Sequence, residues 1–145
     1  MDHNNRIATE RFFEFMNQTP FFSWAGLKII DAHNGEATIA LEVQDHHRGG
    51  GGTEAINGGI VAYMFDGLLG MAIASKWGSD IIGQVTVSLN IEYLRMIQAS
   101  TMVMGKGRVV QLTKTLAFAE GEVYDEKQVL CAKCTGIYKV FRSNA

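Results

Sequence analysis

Gly58-Gly59-Ile60-Val61-Ala62-Tyr63-Met64-Phe65-Asp66-Gly67-Leu68-Leu69-Gly70-Met71-Ala72-Ile73-Ala74-Ser75-Lys76 sets the architecture before anything else in the chain. The run has no polar alternation and is too long for one strand. Ala, Met and Leu dominate it, which predicts a buried helix. At 1.5 Å per residue it spans roughly 27 Å. It is apolar nearly all round, and one flat sheet covers only part of such a helix. Either a sheet curls around it or a second subunit helps to bury it.

The flanks supply the sheet. Asn34-Gly35 is a hairpin turn signal between a strand that begins at Leu27 and a second over 36–43. Residues 84–93 alternate without a break. Val85, Val87, Leu89, Ile91 and Tyr93 share one face, and Gln84, Thr86, Ser88, Asn90 and Glu92 the other, as in a strand buried on its apolar side. Further strands are expected at about 101–110, 114–124 and 128–141, with Asp125-Glu126-Lys127 turning between the last two. A short helix over 5–17 comes first and stops at Pro20. Strands mostly follow strands, which predicts an α+β class with an antiparallel sheet, in one domain over residues 1–145.

Composition removes several function classes. Of 145 residues, 13 are Lys or Arg and 15 Asp or Glu, a net charge of −2 that gives no electrostatic case for nucleic acid. Apolar residues at 47% allow a substantial core. No run is long enough for a membrane span, and the polar N-terminus lacks a signal-peptide apolar region, so a cytoplasmic protein is expected. Gly49-Gly50-Gly51-Gly52 does not match a phosphate-cradling motif. His46 and His47 beside it read as a solvated loop, and no metal site is expected. Cys131-Ala132-Lys133-Cys134 reads as two ordinary strand cysteines.

Asp66 is the most informative single residue. No Lys or Arg lies three or four positions away, so no local ion pair neutralises a carboxylate on an apolar helix. It either lines a functional cleft or sits on the helix's one wet stripe. Gly59, Ala62, Asp66, Gly70 and Ala74 share a helical face made of small residues. Asn57-Gly58-Gly59 offers an N-cap and free N–H groups at the helix start, an arrangement that suits a developing oxyanion.

Thr53-Glu54-Ala55-Ile56-Asn57-Gly58-Gly59-Ile60, then Asp66, then Val85-Thr86-Val87 and Glu92-Tyr93-Leu94-Arg95, resemble the hot-dog-fold acyl-CoA thioesterases, in particular the phenylacetate-degradation type. The likeness runs from about Pro20 to Phe141. It implies a long central helix wrapped by a curved antiparallel sheet. It also implies a dimer, often paired into a tetramer, with active sites at the dimer interface. Asp66 matches the family's helical carboxylate, as general base or nucleophile, and Gly58-Gly59 match its glycines. Gly59 would offer its N–H to the thioester oxygen. Thr86 would reach the site from the opposite subunit. The family histidine is Asn57 here, the Gly49–Gly52 stretch has no match for an upstream amide, and Met96 stands where the family often has Pro.

The resemblance makes acyl-CoA the substrate. Coenzyme A is then part of the substrate, with no separate cofactor. Its phosphates call for cations, and Arg95, Lys106, Arg108 and Lys114 are the candidates, Arg108 first for its guanidinium. The competing reading is a non-catalytic acyl-CoA or lipid-binding module on the same fold, favoured by Asn57. A hydratase reading wants an Asp–His pair, and no His is placed near Asp66.

Overall fold

The computed structural model describes residues 3–144. Helix α1 (His3–Gln18) leads into α2 (Pro20–Ala25), then strands β1 (Leu27–His33) and β2 (Glu36–Glu42), helix α3 (Gly58–Ala74), and strands β3 (Ile81–Tyr93), β4 (Met102–Leu112), β5 (Leu116–Tyr124) and β6 (Leu130–Arg142). Asn34 and Gly35 both take positive φ, 47° and 85°, as a two-residue hairpin with the twist of its strands requires. Pro20 does more than stop α1: it opens α2 at a position where its missing N–H costs nothing.

The six strands form one antiparallel sheet in the order β1-β2-β4-β5-β6-β3, curved around α3. Helix α3 lies across β2, β4 and β5, and Met64, Phe65, Leu68, Leu69, Ala72 and Ile73 are fully buried there. Glycines in the sheet make this close approach possible. A Cβ at Gly105 would stand 2.9 Å from Met64, at Gly107 3.0 Å from Leu68, and at Gly136 2.8 Å from Leu69. At these positions an added Cβ would press on the helix side chains packed against the sheet.

Strand β3 departs from the sequence reading. Its register against β6 slips between Thr86 and Ser88, leaving Val87 as an extra residue. Side chains alternate with period two, so the slip exchanges the faces. Before it, Gln84 and Thr86 reach toward α3; after it, Leu89 and Ile91 pack on the core. Val85 and Val87, expected to be buried, are 51% and 58% exposed on an edge strand. Among the described residues no helix is long and apolar enough to cross a membrane.

Candidate functional site

Asp66 lies on the wet stripe of α3. Ala62, Asp66, Gly70 and Ala74 are half-buried, while Val61, Met64, Phe65, Leu68, Leu69, Ala72 and Ile73 are buried on the other faces. Its carboxylate is anchored on one side only. Thr86 Oγ1 donates to Oδ1 at 2.7 Å, and the Tyr138 hydroxyl donates to the same oxygen at 2.9 Å. The Tyr138 hydroxyl also lies 3.1 Å from the Asp66 main-chain oxygen. Thr86 therefore meets Asp66 of its own chain, which corrects the expectation that it reaches across from another subunit. The bulge at Val87 turns it inward.

Tyr138 is the residue that sequence reasoning missed. It is 2% exposed on β6, and burial together with the neighbouring Asp66 carboxylate pushes its phenol well above the usual range. It stays protonated and is a hydrogen-bond donor. A buried tyrosine hydroxyl needs a partner, and that rule is the one signal in the sequence that points toward it.

Asp66 opens on an apolar cavity of about 470 Å³. Phe12 and Met16 of α1, Phe21 of α2, Met71 of α3 and the ring of Trp77 form its walls, with Gly70 and Ala74 as its floor. Gln84 braces one end, accepting from Trp77 Nε1 at 2.8 Å and donating to the Gly70 oxygen at 2.9 Å. Among the described residues, no Lys, Arg or His lines it.

The start of α3 belongs to a second cavity of about 500 Å³. Asn57, Gly58, Tyr93, Arg95 and Met96 line it, together with the glycine loop. Asn57 is the N-cap, as the sequence suggests: its Oδ1 accepts from the Gly59 N–H at 2.7 Å. The same side chain donates to the Gly49 oxygen at 3.0 Å and ties down the loop. This corrects the role expected for Gly59, whose N–H is already taken. The next N–H, of Ile60, donates to the Asn57 carbonyl at 3.0 Å. Among the described residues, the Gly58 N–H is the one at this helix start without an acceptor. A free backbone N–H at a helix start is the kind of group that meets an anion.

The other candidates divide. Arg95 lies in the helix-start cavity with Gly58. Lys106 and Arg108 line a polar groove with Asp31, His33 and Glu36, away from both cavities. Arg108 is also occupied: its Nε donates to Glu120 at 3.1 Å, and its terminal nitrogens bond Glu122. That pairing overturns its place as first choice for a phosphate. Lys114 sits exposed in the β4–β5 turn and lines neither cavity.

Two further readings change. His47 is fully buried, not solvated. Its Nδ1 accepts from the Gln44 N–H at 3.0 Å, and burial lowers its pKa, with His46 adding to the effect. Cys131 and Cys134 are free and buried, and burial pushes both thiols up, Cys134 to about 11. Neither is poised for redox chemistry.

Similarity to known proteins gives the family and the fold. The family model described as Thioesterase superfamily matches residues 54–132, from just after the glycine loop through α3 into β6. Putative esterase TV1331 of Thermoplasma volcanium is 39% identical over 90 residues, 62% of this chain. The matched segment spans 65% of that relative's own length. A mutant of the phenylacetic acid degradation protein PaaI from Thermus thermophilus superposes with a TM-score of 0.73 at 27% identity, covering 83% of this chain and 98% of that one. The E. coli PaaI protein shares the fold, with a TM-score of 0.79 at 18% identity over 94% of this chain and 93% of its own.

Proposed function

Because the chain belongs to the thioesterase superfamily, we propose that it hydrolyses an acyl-CoA thioester, with Asp66 activating the attacking water. The observation that carries the reading is a carboxylate, held at one oxygen, opening on a cavity walled by Phe12, Met16, Phe21, Met71 and Trp77. Such a cavity suits a neutral apolar acyl group. The water gives one proton to Asp66 as its oxygen bonds to the thioester carbon. The carbonyl oxygen becomes an oxyanion. The C–S bond then breaks, and the leaving thiolate takes the proton back from Asp66, giving free acid and CoA.

The oxyanion needs a donor, and the Gly58 N–H is the free one. Eight residues separate Gly58 from Asp66, about 12 Å along the helix. One carbonyl cannot touch both in the same chain. A second copy with its α3 antiparallel alongside brings its own Gly58 next to Asp66, and a symmetric pair builds two such sites. The exposed edge of β3, with Val85 and Val87, offers a surface where the two sheets meet. Arg95, next to Gly58, then faces the phosphates of CoA from the subunit that supplies the oxyanion donor. Coenzyme A arrives as part of the substrate, and the reaction asks for no other cofactor. The compartment this reading assigns is the cytoplasm.

The test is thiol release from aromatic, medium-chain and long-chain acyl-CoAs by the wild type and Asp66→Asn. The reading expects turnover that falls by at least about 100-fold in the variant while acyl-CoA binding is retained. One observation favours a second reading, a non-catalytic acyl-CoA-binding module: Asn57 takes up the Gly59 N–H and carries no titratable proton. Saturable binding with no turnover in the wild type across the panel would select that module.

A further inference from the structure

Asp66 has two carboxylate oxygens in unequal surroundings. Oδ1 accepts from Thr86 at 2.7 Å and from Tyr138 at 2.9 Å, whereas Oδ2 has no hydrogen-bond partner among the described residues. Thr86 and Tyr138 come from different strands, β3 and β6, which pair directly at that register. The two donors therefore converge from a rigid ladder onto one atom. We propose that Tyr138 is a positioning residue for the hydrolysis. Its hydroxyl, with that of Thr86, locks Asp66 by Oδ1 and commits Oδ2 to exchange the proton with water and then with the leaving thiolate. This rests on the thioesterase reading above.

Three features support the assignment. Tyr138 keeps its proton, since burial and the Asp66 charge both oppose ionisation, so it remains a donor across the working pH range. Its ring is fixed within the core, where Gly136 lies against it. A carboxylate held at one oxygen keeps its plane and loses little rotational freedom on reaching the transition state. Without the phenol, Asp66 would retain one donor and turn about its own side-chain bonds.

The groups facing Asp66 are few, so pH profiles are interpretable. Tyr138 and Cys134 come from β6, Tyr63 from α3 itself, and Thr86, which does not titrate, from β3. The α1 and α2 side chains at the cavity are Phe12, Met16, Phe21 and Phe22, with no charge.

The experiment compares the wild type with three altered forms in thiol release: Tyr138→Phe, 3-fluorotyrosine at position 138, and Asp66→Asn. In Tyr138→Phe we expect kcat to fall about 10-fold with KM unchanged within about twofold, because one hydrogen bond to a charged group is lost and no substrate contact is touched. The acidic limb of kcat/KM should move to higher pH, since a donor to the charged form is gone. Fluorotyrosine, a stronger donor of nearly the same size, should move that limb to lower pH. It also keeps the test decisive if Tyr138→Phe folds poorly. A purely structural role for Tyr138 moves neither limb. A dead Asp66→Asn beside unchanged kcat and unchanged limbs at position 138 overturns this inference alone. An active Asp66→Asn overturns Asp66 as the group that activates water, and this inference with it; no thiol release by the wild type overturns the thioesterase reading itself.

Discussion

Gly136 sits on β6 where α3, β3 and Tyr138 converge, and replacing it with alanine perturbs the fold by a calculable amount. The new Cβ would stand 2.8 Å from Leu69 Cδ1, 3.1 Å from Leu89 Cδ2 and 3.2 Å from Tyr138 Cε2. Carbon contacts normally settle at about 3.5–4.0 Å, so the nearest neighbour must retreat by about 0.7 Å. The three atoms approach from the helix, from the adjacent strand and from β6 itself. No single shift relieves all of them, and Leu69 is fully buried, so its side chain moves only against other core groups. Overpacking of this kind costs about 1–3 kcal/mol. For a domain of this length each kcal/mol lowers Tm by about 3 °C, so Gly136→Ala should melt about 3–9 °C lower. Gly83→Ala is the matched control. Its Cβ would meet nothing closer than Phe141 Cδ2 at 3.8 Å, and its φ is not positive. Lost chain entropy in the unfolded state then makes it neutral or slightly stabilising, by up to about 1 kcal/mol. The assay is thermal unfolding followed by circular dichroism at one fixed protein concentration, since any self-association makes Tm concentration-dependent. Equal melting temperatures for the two variants would refute the claim that sheet glycines let α3 approach.

Other outcomes follow from the same contacts. His47 is held neutral in the fold, below its usual value of 6.5, while the unfolded chain takes up its proton near that value. Its stabilising share is complete above about pH 6.5 and is lost as pH falls below it. His47→Asn, which keeps an acceptor for the Gln44 N–H, should lose less Tm between pH 7 and pH 5 than the wild type; parallel losses would exclude His47 as the cause. Glu126 accepts the Ser100 and Thr101 N–H groups, and these hydrogen bonds hold its pKa at about 2. Its contribution is present above the ordinary carboxylate value of 4.5 and disappears as pH falls toward 2. A carboxyl-carbon NMR titration midpoint near 4.5 would contradict the assignment. Asn57→Ala removes both the cap on Gly59 and the tie to Gly49, and should cost about 1 kcal/mol. Denaturant midpoints and the rate of proteolytic nicking in the Gly49–Gly52 loop measure it, and a midpoint and nicking rate equal to wild type would remove the cap from the account.

The parts of the fold that follow from local chemistry were legible in the sequence. An apolar run with no polar alternation gave α3, Asn34-Gly35 gave the first hairpin, and Asp125-Glu126-Lys127 the last turn. Asp66 stood out because a lone carboxylate on an apolar helix needs a reason. Residues whose roles depend on what lies across space were not legible. The unbroken alternation of residues 84–93 hides the extra residue at Val87, because a bulge is set by the partner strand. Pro20 reads as a stop, yet the same fixed φ starts α2. Arg108 looks free along the chain, but Glu120 and Glu122 face it from β5. His47 adjoins a glycine loop and reads as solvated, yet the turn at Asp45–His47 folds its ring under Gly26. Tyr138 is seventy-two residues from Asp66, and only the packing of β6 against α3 brings it there.

The central claim is that one site takes Asp66 from one subunit and the Gly58 N–H from another, and a subunit-mixing experiment tests it most directly. Gly58→Pro removes the N–H at a helix position that accepts proline. A Cβ there meets the Tyr93 ring at an ordinary 3.5 Å. Alone, Asp66→Asn and Gly58→Pro should each lose at least about 100-fold in kcat. In mixed dimers purified through two different tags, one site carries both lesions and the other carries neither. The account predicts that these mixed dimers recover about half of the wild-type specific activity. Mixed dimers as inactive as their parents would contradict it.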